Sequence, residues 1–393
     1  MGLILNDLKN ACELEHVCDY VNNRTTSSMN YISTENMLPN KGGISESTII
    51  PPGTTTEYKI GDILISNIRP YFQKIWCADR CGGCSADVLC IRAKENTDSK
   101  YLYYLLSQQA FFDYVMSGAK GCKMPRGDKK QIMQWPVNIP AIDVQKKVVA
   151  ILSSLDNKIR LNRRINDNLE EQAKALFKSW FVDFEPFKGG KFVDSELGLI
   201  PKGWSTGTIY SYIDVIYGAP YKSALFNDKK QGLPLIRIRD LKTYTPQYYT
   251  KEVLPNTEYV ECGDIIAGMD AEFIPHIWRG EKGVLNQRLC KFVPKYDYVS
   301  KYYIYSLVYP KLAFVQSYKV GTTVSHLGKA DIDRFKVIVP PEDIIMQYSK
   351  IVNSYFAEIV KVSNENQILS SLRDTLLPKL MSGELSVEEV SFD

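Results

Sequence analysis

The chain has 393 residues, 45% of them hydrophobic and 24% charged, an ordinary balance for a globular protein and enough length for two or three domains. Its net charge of +3 permits a nucleic-acid partner without arguing for one. No apolar run approaches the roughly 18 residues of a membrane span, and Met1–Asn6 is too short and too soon polar for a signal peptide, so no membrane and a cytoplasmic location are expected.

In chain order, the first structured segment is Asp62–Ser66, a short, partly alternating run read as a β-strand. Cys77, Cys81, Cys84 and Cys90 follow, with one CxxC. A zinc site needs a second ligand pair at matching spacing, so these read better as small apolar residues in neighbouring strands. Lys100 to about Met116 carries aromatic and leucine residues at three- and four-residue spacing, which predicts a helix. Gly118–Lys130 is a loop holding five cations against one acid. Trp135–Pro140 is a closing β-segment. From about Asp143 to Phe181 there is no Pro or Gly, and a long helix is expected; Glu185–Trp204, rich in Gly and Pro, then marks a domain boundary. The second half runs the same way: β-segment Pro234–Arg239, helix Lys301 to about Gln316, loop Tyr318–Gly328, β-segment Phe335–Pro340, and a long helix from about Asp343 to Leu377.

The two halves also share residues. Gly61-Asp62-Ile63 matches Gly263-Asp264-Ile265, Ser99-Lys100-Tyr101 matches Ser300-Lys301-Tyr302, and Ile159, Asn166, Leu169 and Leu176 match Ile359, Asn366, Leu369 and Leu376. The order is kept while the offset barely drifts, so a domain-plus-helix unit is duplicated. Both long helices carry a 4,3 apolar seam, and the expected seam residues are Leu152, Leu155, Ile159, Asn166, Leu169, Leu176, Val352, Tyr355, Ile359, Asn366, Leu369 and Leu376. Each helix would span roughly 50 Å. A whole domain separates them in sequence, so antiparallel packing is the economical arrangement. Asn166 and Asn366 hold equivalent seam positions, where buried amides typically fix register.

Asn168–Phe187 followed by Gly198–Trp204 resembles the central conserved region of the specificity subunits of type I restriction-modification enzymes, and Leu372–Leu385 resembles their distal conserved region. Gly61–Tyr71 and Gly263–Phe273 are similar to a recurring target-recognition segment, with Ala271 where that pattern more often has Gly. The resemblance implies an α+β architecture of two pseudo-symmetric α/β target-recognition domains separated by two long helices forming an antiparallel coiled coil. The implied divisions are recognition domain 1 (residues 1–142), central helix (143–185), recognition domain 2 (186–340) and distal helix with tail (341–393). It also implies double-stranded DNA as ligand and two modification (methylase) subunits as partners, these supplying S-adenosylmethionine. Two restriction (helicase-nuclease) subunits using ATP and Mg would join where such subunits exist. Each recognition domain would read half of a split target, the helix pair setting the gap and docking the methylases.

Reading DNA takes cations for phosphates and a few side chains at base edges. In the first copy the candidates are Arg69, Lys120, Lys123, Arg126, Lys129 and Lys130. In the second they are Arg237 and Arg239, expected on one face of a strand, Arg279 and Arg288 around a turn, and Lys319, Thr322, Thr323, Ser325 and His326 in the hydroxyl-rich loop. The cations Lys158, Arg160, Arg163 and Arg164 read as a solvated or partner-facing helix side, and Tyr244, Tyr248 and Tyr249 as packing residues. No catalytic, cofactor-binding or metal-binding residue is expected. Asn67–Tyr71 and Asp183–Phe187 lack the second Pro of an adenine methyltransferase motif, GxxxxGK[ST] is missing, and His16, His276 and His326 have no metal partner at helical spacing. Two other readings stay open: a coiled-coil adaptor with duplicated protein-binding domains, and a self-sufficient DNA adenine methyltransferase.

Overall fold

The Gly-Asp-Ile repeat is the most telling piece of local structure. Gly61 and Gly263 adopt φ of +89° and +94°, a left-handed turn that favours glycine. The following aspartate closes that turn, Asp62 accepting from the Lys59 N–H at 2.8 Å and Asp264 from the Glu261 N–H at 3.0 Å. Each aspartate also takes a cation: Arg92 grips Asp62 with two 2.7 Å bonds, and Lys301 reaches Asp264 at 2.7 Å. The motif therefore starts a strand and anchors it.

The computed structural model describes residues 11–26, 30–45, 53–319 and 326–389. It divides into one unit of Met1–Asp156 with Ser371–Asp393 and a second of Asn157–Ser370. In the first, an antiparallel sheet has the order Cys18–Tyr20, Val88–Ala93, Ile63–Ser66, Ile75–Cys77. All of Ile63–Ser66 is buried because both sheet faces are covered. Ile63, Ile65, Leu89 and Ile91 pack with Tyr101, Leu105 and Phe111 from helices, while Leu64, Trp76 and Cys90 face Ile32, Met37, Tyr58 and Cys84. Cys84 and Cys90 thus lie within the core and Cys81 on the surface.

In the second unit the order is Ile213–Tyr217, Leu289–Pro294, Ile265–Gly268, His276–Ile277. Its alternation is the same: Ile265 and Ala267 face the helix side, and Ile266 meets Ile236, Trp278 and Leu285. The stretch read as a linker folds here into a hairpin, Phe192–Ser195 with Gly198–Pro201, and Trp204 joins an aromatic cluster with Phe181, Phe184 and Phe187.

Three helix boundaries differ from the sequence expectation. The helix expected from Lys100 is two, Ser99–Leu106 and Gln109–Ser117, because Ser107 caps the first, its hydroxyl donating to the Tyr103 carbonyl at 2.6 Å. Its counterpart runs Lys301–Lys319, with Pro310 inside it. The long helices are Ile142–Phe181 and Glu342–Ser382. The second passes through Pro378 because Leu377, Leu380 and Met381 are buried beyond the expected end, and that packing outweighs the lost N–H.

Both units contain an antiparallel helix pairing. In the first, Val148 and Leu152 share a core with Leu377, Leu380 and Met381. In the second, Phe177, Trp180 and Phe181 surround Tyr348. Leu155, Ile159, Val352 and Ile359 are buried, while Leu169, Leu176, Tyr355, Leu369 and Leu376 are half-buried. Asn166 and Asn366 do not bond each other. Asn166 donates to the Ser363 hydroxyl at 3.0 Å, and Asn366 accepts from Asn162 at 3.0 Å. No helix among the described residues is long and apolar enough to cross a membrane.

Candidate nucleic-acid interface

In the first unit the basic loop is held by backbone bonds. Lys120 and Arg126 exchange N–H···O bonds of 2.9 Å, the Arg69 N–H donates to the Pro125 carbonyl at 2.8 Å, and Gly127 donates to Asn67. This ladder draws Arg69, Lys120 and Arg126 together, all with exposed side chains. A Cβ on Gly127 would lie 2.7 Å from Val115 and 2.9 Å from the Asn67 amide, so the loop seats closely against that turn. Arg69 itself sits at φ +50°, a costly conformation for a side-chain-bearing residue.

Two acids hold the cations in place. Arg126 pairs with Asp87 at 3.2 Å, and Lys120 with Asp128 at 2.9 Å. The Lys120 hydrogen bond, with the Gln131 and Lys130 N–H groups, holds the Asp128 carboxyl below its ordinary value, and the same bond raises Lys120. Lys123 and Lys130 are exposed, and the Lys129 ammonium lies 5.9 Å from the Tyr20 ring centre. These surface pairs are individually weak, so they leave the cations exchangeable toward phosphate.

The second unit places a different set at the corresponding position. Asp270 bridges His326 as Ile68 bridges Arg126. The His326 Nδ1 lies 2.7 Å from the Asp270 carboxylate, which also takes Arg288 at 3.3 Å. Ala271 has φ +60°, matching the left-handed Arg69. Thr322, Thr323 and Ser325 lie outside the described residues, and of Lys319 only the backbone, at its helix end, is described.

Two expectations are corrected. Arg237 and Arg239 do not share a strand face, because the strand ends at Ile236 and the chain turns into a 3-10 helix, Ile238–Asp240. The buried Asp240 makes that turn by accepting from the Arg237 N–H at 3.0 Å, and burial pushes its carboxyl up to about 6. Arg279 is not with the other cations either. It is largely covered, ion-paired with Glu170 of the first long helix and 5.8 Å from the Tyr244 ring. Asp87, Asp270 and Glu170 all escaped sequence reading, since each meets its cation across a long sequence separation.

A family model described as type I restriction modification DNA specificity domain matches residues 10–171 and again 201–370. The chain is 28% identical to the type I restriction enzyme MjaIX specificity subunit of Methanocaldococcus jannaschii, over 76% of this chain and 71% of that one. It is 24% identical to the HindI specificity subunit of Haemophilus influenzae, over 90% and 94%. Among solved structures, the type I restriction-modification system S subunit from M. genitalium aligns with 97% of this chain and 98% of its own, at 15% identity and a TM-score of 0.46.

Proposed function

Because the chain belongs to the type I restriction-modification DNA specificity family, we propose that its two units each read one half of a bipartite duplex target. The chain selects sequence and is not itself a catalyst. The recognition domains comprise residues 1–142 and 186–340, and the helical regions 143–185 and 341–393 set the gap between half-sites and dock two methylase subunits. Those partners supply S-adenosylmethionine and methylate adenine; restriction subunits using ATP and Mg join the same assembly where such subunits exist.

One observation carries this reading. The same bridge is built twice, Ile68 with Arg126 and Asp270 with His326, each followed by a backbone bond, Gly127 to Asn67 and Leu327 to Met269, and it carries different side chains in the two units. A shared scaffold with different side chains suits two readers of different sequences. Mapping adenine methylation with and without this gene tests it. A bipartite motif that vanishes on deletion is expected, and an unchanged methylation map would refute the proposal. One heptad inserted after both Ile159 and Ile359 should change the gap and leave the half-sites alone.

A further inference from the structure

The segments in which the two halves share least sequence contain one turn built twice. Ile32 pairs parallel with Cys84, as Ile236 does with Leu285. The next backbone bond is also shared: Ser85 N–H donates to the Ile32 carbonyl at 2.9 Å, and Asn286 N–H to the Ile236 carbonyl at 3.2 Å. Ser33 then donates its N–H to the Asn36 side chain at 3.0 Å, just as Arg237 does to Asp240. The residue after the turn is a buried anchor in both, Met37 and Leu241. Ser33 and Arg237 are therefore the same structural position carrying different side chains.

The Arg237 side chain is arranged for use. Its guanidinium carbon lies 5.4 Å from the Tyr248 ring centre and 5.9 Å from that of Phe226, and these rings are 6.0 Å apart. Two aromatic rings beside the guanidinium offer it cation–π contact and leave its N–H donors for a hydrogen-bonding partner. Among the described residues no carboxylate lies within ion-pair distance of it; the nearby buried Asp240 feels its charge and takes the Arg237 backbone N–H on one oxygen. Its strand end joins the candidate interface through successive backbone bonds: Asn286 to Ile236, Met269 to Arg288, and Leu327 to Met269.

We propose that Arg237 is a base-reading residue of the second unit, its fork donating to the O6 and N7 atoms of a guanine in the major groove, while Ser33 gives the first unit a different contact at the equivalent place. This rests on the two-reader function above. A planar guanidinium presents two parallel N–H donors in a fixed fork that matches the guanine edge, whereas an ammonium is a point charge without that fixed geometry.

The test uses the assembled methylase complex with the full chain, and duplexes carrying its mapped target. Each guanine of the second half-site, on either strand, is replaced in turn by 7-deazaguanine, which lacks N7. One replacement should weaken binding by the wild-type complex about tenfold or more. The R237A complex should have lost that sensitivity and R237K should keep at most part of it, while requirements in the first half-site stay unchanged. If no guanine replacement weakens the wild-type complex, the proposal is overturned, whatever the variants do. It is equally overturned if R237A weakens all duplexes alike and flattens the salt dependence, the mark of a phosphate contact. A wild-type complex with no bipartite target would sink the two-reader function itself, and this assignment with it.

Discussion

Arg373 of the second long helix donates to Asp156 of the first at 2.8 Å, and the other oxygen of that carboxylate accepts from the Tyr104 hydroxyl at 2.7 Å. One carboxylate thereby ties both long helices to the short helix Ser99–Leu106 within the first unit. The ion-paired side chains are 19% and 29% exposed, so water screens them little. Truncating Arg373 to Ala leaves a covered carboxylate without its cation, and a loss of about 2 kcal/mol in unfolding free energy is expected. Adding Asp156→Asn should recover most of it, since an amide still accepts from Tyr104 without carrying charge. Denaturant titration of both variants decides this; an unaffected Arg373→Ala midpoint counts against it.

Asn166 is buried in the helix seam, and its side-chain oxygen meets no donor among the described residues. Its partner Ser363 also donates to the Ile359 carbonyl at 2.6 Å and keeps that bond if the amide goes. Asn166→Leu should therefore stabilise the second unit by roughly 1 kcal/mol, readable as a higher unfolding midpoint. A lower midpoint would show that the amide's bond outweighs its burial.

Asp240 gives a pH dependence whose sign is fixed by the direction of its shift. Its folded carboxyl titrates at about 6, above the ordinary 3.8. The folded state thus holds a proton that the unfolded chain has released. Its stabilising contribution is fully present below about 4 and is lost as pH rises through 6, of the order of 3 kcal/mol. Asp240→Asn should flatten this part of the profile and keep the turn, because Asn36 makes the equivalent turn in the first unit. Thermal midpoints of wild type and variant between pH 4 and 7 should converge at the acid end. Parallel profiles would remove Asp240 as the cause.

Arg126→Ala should weaken specific DNA binding about threefold to tenfold and lower the salt slope by about one if its contact is to phosphate. The backbone ladder does not depend on its side chain, so methylase assembly should be preserved. Gel-shift titrations at two salt concentrations provide the check, and unchanged affinity at both would take Arg126 out of the interface.

The duplication was legible where a structural job demands one residue type. Gly61 and Gly263 must occupy left-handed turns, so both copies kept them. The long helices were legible from their 4,3 pattern, but the exit through Pro378 was not, because only packing by Leu380 and Met381 explains it. The Ser33 and Arg237 turns left no trace in an identity comparison, since Asn36 and Asp240 can both accept the same backbone N–H. Arg279 looked like a surface cation because its partner, Glu170, is 109 residues away. Periodicity reports local geometry; which cation is neutralised inside the fold depends on contacts that sequence spacing does not encode.

The first unit takes Leu377, Leu380 and Met381 into its core beside Val148 and Leu152, whereas the second unit draws only on Asn157–Ser370. During synthesis these core pieces leave the ribosome after the whole second unit has been made. The half that is translated first is therefore completed only after the second, and nascent chains carry its incomplete apolar surface until Leu377–Met381 emerge.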